Sequence, residues 1–221
     1  MNRSTPIGSA LAFVAGYVDT ACFILLFGVF TAHVTGNFVL IGSELVHPMQ
    51  GVTIKLLAFP AFVTAVAASR LIALAVERRG RAIARPLLLL QIALLAACML
   101  CGLQARPLVD PEGPWVLAAG LLGAAAMGVQ NASTRLAFDE LSPTTMMTGN
   151  VTQLVFGLVD VLRGVKDAGP GDRVGKFAWP ILAFAFGAIS GALICQRVSL
   201  WALALPLLVL SGVALTPATR R

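Results

Sequence analysis

Long apolar runs alternate with short polar breaks along the chain, and the runs have the length of membrane helices. Six stand out, at about 8–29, 56–76, 86–103, 115–137, 177–195 and 199–217. Each is close to the roughly 20 residues that carry a helix across a ~30 Å hydrocarbon core. A spanning segment must satisfy its own backbone, and the alternation of a barrel strand is absent, so the runs predict helices. The expected fold class is an all-α membrane protein with six transmembrane helices, forming a single membrane domain over residues 1–221.

The pattern also repeats. GSALAFVAGYVDT at 8–20 aligns with GLLGAAAMGVQNA at 120–132, placing Gly8, Ala12 and Gly16 on Gly120, Ala124 and Gly128. Each trio falls on one helix face, and such small-residue stripes let membrane helices approach closely. A polar residue follows each stripe, Asp19 in the first copy and Asn131 in the second. VTGNFVLIG at 34–42 then returns as MTGNVTQLV at 147–155, and Lys55 and Pro60 correspond to Lys176 and Pro180. These matches predict a 3+3 inverted repeat of residues 7–103 and 115–217. Three spans per copy mean that the second copy enters from the opposite side, a recurrent transporter architecture. The first apolar run, being part of the repeat, is expected to be retained rather than cleaved as a signal peptide.

The segments after the two Thr-Gly-Asn corners, 37–46 and 150–159, are too short to span. As helix they reach about 15 Å at ~1.5 Å per residue, half a membrane. The pattern therefore predicts two short half-helices, re-entrant or interfacial. Thr35 or Asn37 would cap the first and Thr148 or Asn150 the second, with Gly36 and Gly149 permitting sharp entry. Helix N-termini with free N–H groups and partial positive charge would then point inward from opposite faces. The plainer alternative is that both corners cap surface helices in loops.

Composition agrees with this picture. The residues are 58% hydrophobic and 12% charged, half the roughly 25% charge of soluble domains. The basic excess, 16 against 10, lies between apolar runs, which excludes a nucleic-acid binder and sets orientation instead. Arg78, Arg79, Arg81 and Arg85, then Arg163, Lys166, Arg173 and Lys176, fall with Arg3, Arg220 and Arg221 on one side. By the positive-inside rule that side is cytoplasmic, with both termini. Lys55, Arg106 and Arg197 fall near the other face.

GYVDTACFILLFGVFTAHVTGN, followed by GVQNASTRL and TTMMTGNVTQL, resembles the YoaK-like family of small bacterial multi-spanning membrane proteins. The resemblance covers nearly the whole chain and implies a location in the bacterial inner (cytoplasmic) membrane. That family is a domain of unknown function, so no mechanism comes with it. His33 departs from the small or amide residue more usual beside the first corner.

Candidate chemistry centres on Asp19, about twelve residues into the first span, because a carboxylate at that depth is functional or paired. It would bind a cation or carry a proton. The structural alternative is a hydrogen bond to Asn131, Gln130 or the corner backbone. The candidate solute site comprises Asp19, Thr35, Gly36, Asn37, Gln130, Asn131, Thr148, Gly149 and Asn150. Cys98 and Cys101 form a CxxC inside a span, where cysteine serves as a small apolar residue. His33 and His47, with Glu44 between them, are too sparse for zinc. Gly187 and Gly191 form a GxxxG packing face. No nucleotide or metalloprotease motif is present, so no catalytic residue, metal or cofactor is expected. The leading expectation is a secondary transporter or channel for a small polar solute, anions included, with a homodimer as one way to complete the pathway. The alternatives are a membrane-embedded enzyme, or a lipid-handling or assembly protein whose repeat is structural.

Overall fold

The computed structural model describes residues 4–47, 50–164 and 170–216. Arg3, Lys166, Arg220 and Arg221, on which part of the orientation argument rests, lie outside the described residues. The elements are α1 (Ser4–Leu25), α2 (Gly36–Glu44), α3 (Val52–Glu77), α4 (Ala84–Gln104), α5 (Pro114–Leu136), α6 (Thr148–Leu162), α7 (Pro170–Val198) and α8 (Ala204–Leu215). A 3-10 turn, Ser199–Leu203, joins the last two. The described residues contain no strand.

Five helical stretches are long and apolar enough to cross a membrane. The last, Arg173–Leu215, has 43 residues, about twice the ~20 that a bilayer core requires. It is broken where Ser199 takes a left-handed φ of 54°, so α7 and α8 are separate helices. Pro60 lies inside α3 and Pro180 inside α7, as their matched sequence positions suggest.

Glycine decides how the helices meet. A Cβ on Gly187 would sit 2.2 Å from the Phe13 carbonyl oxygen, and one on Gly191 would sit 2.6 Å from that of Tyr17. Gly16 is as close to the Phe184 carbonyl, at 2.2 Å. Helices α1 and α7 therefore touch backbone to backbone and run in the same direction. The second small-residue stripe does the same between α5 and α3. Gly120 packs on Ile54, and Gly128 faces the Phe62 carbonyl at 2.7 Å. In contrast α1 and α5 are antiparallel, since Gln130 bonds the Leu11 carbonyl while the Cys22 sulfur lies by Gly123.

These directions sort the charges. The starts of α1, α4 and α7 share one end of the bundle with the ends of α3 and α5. That end holds Arg78, Arg79, Arg81, Arg85, Arg135, Arg163, Arg173 and Lys176, all exposed. Arg106 and Arg197 lie at the other end, where Lys55 is buried.

The two short helices differ from each other. Helix α2 has 9 residues, about 14 Å, but α6 has 15 and reaches about 22 Å at ~1.5 Å per residue. The expected ten-residue length for the second is therefore corrected. The helix runs past Asp160 to Leu162, and Gly164, with a φ of 69°, follows its end. Both helices expose apolar side chains, among them Val39, Phe156 and Leu162, as lipid-facing helices would.

Candidate functional site

Beyond Leu25 the chain reverses at Phe27 and Gly28, with φ of 54° and 78°. It then returns alongside α1 to reach Asp19, which lies six residues, or about 9 Å, before the helix end. One Asp19 oxygen accepts from the backbone N–H groups of Thr31 and Ala32, both at 2.7 Å, and from the Thr31 hydroxyl at 3.2 Å. The other meets His33 Nδ1 at 2.7 Å. Asp19 is 4% exposed, and this set of donors is what makes a buried carboxylate tolerable. The bond to Asp19 raises the His33 pKa above its ordinary value, although partial burial works against it.

Just past this loop, Asn37 closes a two-bond clasp on Phe30. Its oxygen accepts from the Phe30 N–H at 2.8 Å and its amide donates to the Phe30 carbonyl at 2.9 Å. Asn37 is therefore not a helix cap, and Thr35 makes no capping bond either. The N–H groups of Gly36, Asn37 and Phe38 donate to His33, Val34 and Thr35 carbonyls. The expected free donors at the α2 start are thus already used, because the entering turn is wound tightly. Neither Gly36 nor Gly149 has positive φ. Gly36 instead gives room to Phe30, 3.1 Å from where a Cβ would lie, and Gly149 faces open space.

A matching arrangement surrounds the second corner, without charge. The Asn131 amide donates to the Thr145 hydroxyl at 2.8 Å. Gln130 Nε2 donates to the Leu11 carbonyl at 2.8 Å and to the Thr144 hydroxyl at 3.2 Å. Gln91 Nε2 donates to Gln130 Oε1 at 2.7 Å, and the hydroxyls of Thr134 and Thr144 are 3.0 Å apart. Asn150 donates to the Pro143 carbonyl at 2.7 Å, the same seven-residue reach that Asn37 makes to Phe30. Thr148 and Gly149 are exposed, and Thr148 makes no cap; Met147 precedes the helix instead.

The sequence-chosen residues therefore gather into two centres rather than one. Asp19 and Asn37 hold the first returning loop; Gln130, Asn131 and Asn150 hold the second. Among the described residues no hydrogen bond joins Asp19 to Gln130 or Asn131. The reason is helix direction: α1 and α5 are antiparallel, so each polar residue lies nearest the loop that follows its own helix.

Sequence reading missed several members. His33, expected as a loop residue, pairs with Asp19 across 14 positions. Gln91 was a visible signal, an amide inside an apolar run. Lys55 and Glu44 form a buried ion pair of 2.5 Å between α3 and the end of α2. Lys55 also donates to the Gln50 carbonyl at 3.0 Å. Its sequence counterpart Lys176 is exposed. Cys98 and Cys101 are free thiols, and the described residues contain no metal-binding cluster of three or more His, Cys, Asp or Glu.

Comparison with known families gives one match. The model for the family described as "Protein of unknown function (DUF1275)" covers residues 7–216. No curated protein and no solved structure matches the chain.

Proposed function

Since the chain belongs to the DUF1275 family, whose description carries no function, we propose from the geometry that it is a small secondary transporter or channel for a polar solute. One observation carries the reading. Antiparallel helices α1 and α5 each hold a polar loop that turns back into the bundle from opposite ends. That is the form of an inverted repeat, in which irregular backbone is placed where it lines a path rather than facing lipid. The parallel seams α1–α7 and α3–α5 support the same symmetry, since each pairs the first helix of one half with the second helix of the other. With α8 as the sixth span, the basic end of the bundle lies in the cytoplasm of a bacterial inner membrane by the positive-inside rule.

In this reading Asp19 and His33 form the working pair. Asp19 is fixed by backbone donors, while the His33 side chain, 34% exposed, connects it to the aqueous side. Rocking of the halves alternates access, and a second copy packed on the exposed apolar surface would complete the assembly. Reconstituted vesicles test the proposal. Asp19→Asn keeps an oxygen for Thr31 and Ala32 but removes the charge, so folded protein should persist while solute flux is lost. Unchanged flux in that variant overturns the assigned role.

A further inference from the structure

The two corner asparagines are used differently, and the difference has one covalent cause. Asn37 offers both ends of its amide to Phe30, taking the N–H and giving to the carbonyl. The residue in the same relation to Asn150 is Pro143, and proline has no N–H. Asn150 can therefore only donate, and its oxygen is left buried without a partner. The side chain is 1% exposed. Its orientation is fixed, because the Pro143 carbonyl can only accept and so must face the amide nitrogen.

A second acceptor is left over by the same logic. The Leu11 carbonyl forces Gln130 to present its nitrogen, which turns Gln130 Oε1 toward Gln91. Gln91 must then donate, and its own oxygen has no partner. Gln91 is fully buried. Both acceptors belong to the polar network around 143–145, and no charged side chain is bonded within it. A buried acceptor without a partner is destabilising, and here there are two. The chain around the buried Asn150 is open, with Pro143, Met146, Thr148 and Gly149 exposed. The first turn of α6 adds N–H groups that a helix start leaves unpaired.

We infer that Asn150 and Gln91 supply acceptors for the solute at the second corner, and that the solute is small, neutral and bears N–H or O–H donors together with an acceptor oxygen, as a urea or a polyol does. The inference rests on the transport reading above and adds the class of substrate. A charged solute would shed its hydration with no counter-charge in this network, which opposes it.

Pro143→Ala provides the experiment, because it supplies the N–H that Asn150 lacks and turns the second corner into a copy of the first. Pro143→Gly supplies the same N–H with a different side chain. Purified protein in liposomes would be followed by light scattering during osmotic relaxation with urea, glycerol and formate as separate probes. Thermal unfolding in detergent would run beside it. The wild type should pass urea or glycerol in preference to formate. Both variants should unfold at higher temperature and pass the neutral probes about tenfold more slowly, the effect of losing one hydrogen bond of roughly 1.4 kcal/mol. A raised unfolding temperature with unchanged neutral flux overturns the inference. Passage of formate alone overturns the substrate class and leaves the transport reading intact. Passage of no probe overturns both.

Discussion

The first corner is fastened by charge and the second by amides and hydroxyls. At the first, Asp19 takes three hydrogen bonds from Thr31 and Ala32 and one contact from His33, Asn37 closes a two-bond clasp, and Glu44–Lys55 anchors the far end of α2. At the second, Asn131 makes one bond, Asn150 makes one to Pro143, and Arg173 of α7 meets α6 through an exposed contact with Asp160 at 3.7 Å and a hydrogen bond to Gln153 at 2.7 Å. Similar geometry with unequal fastening gives two corners of similar shape and different strength. The lesson is that helix direction sets where the loops go, while the side chains at each corner set how firmly it is held.

The largest test of this contrast is at the ion pair. Lys55→Met leaves Glu44 buried without its partner and should destabilise the protein by about 3–5 kcal/mol, with the double variant Glu44→Leu/Lys55→Met recovering most of it. Lys176→Met, on an exposed side chain, should shift stability by less than about 0.5 kcal/mol. Chemical or thermal unfolding in detergent measures both, and equal losses would erase the distinction between the corners. Next comes the carboxylate. Asp19→Ala strands the Thr31 and Ala32 donors and should destabilise by roughly 2–4 kcal/mol. Asn131→Ala removes one bond, to Thr145 in the following loop, worth about 0.6 kcal/mol by analogy with contacts between membrane helices.

The asparagine clasps should differ more modestly. Asn37→Ala loses two bonds to the backbone and should be about 1 kcal/mol more damaging than Asn150→Ala, which loses one such bond and a weak one to the Met147 sulfur and removes an unpaired acceptor. Equal effects would mean that the Phe30 N–H contributes little. The smallest effect is on pH. His33 has a raised pKa in the folded state, so its contribution is fully present below its ordinary value of about 6.5. It is lost as pH rises through the raised folded value. Hydrogen-exchange protection, relative to the intrinsic rate at each pH, should therefore fall in residues 26–35 across that window and stay constant in 137–147. His33→Gln should remove the dependence; its persistence would assign the titration elsewhere.

Much of the fold was legible because hydropathy and glycine spacing are local signals. The apolar runs became α1, α3, α4, α5 and the α7–α8 stretch, and the Gly16 and Gly128 stripes became the close seams. The Thr-Gly-Asn corners did mark two loops folded back into the bundle. Their chemistry was misread, since a sequence shows that Asn37 could cap but not that Phe30 returns within reach. Asp19 was legible as costly, but its partners were not, because a loop reversal at Phe27 and Gly28 brings Thr31 and His33 to it. The Lys55–Glu44 and Gln91–Gln130 pairs were hidden for the same reason: each joins different elements. The length of α6 was hidden because it begins at Thr148 inside the corner and runs through Asp160 to Leu162, and a single charged residue does not stop a helix.

The α1–α7 seam has a further consequence for how the molecule is made. Helix α1, which carries Gly16, is synthesised well before its backbone-tight neighbour Phe184. Until then α1 waits in the bilayer with its glycine groove unfilled, and neither half can complete its interior alone. Severing the chain between residues 137 and 147 would thus yield two fragments that are unstable apart and competent only when co-expressed.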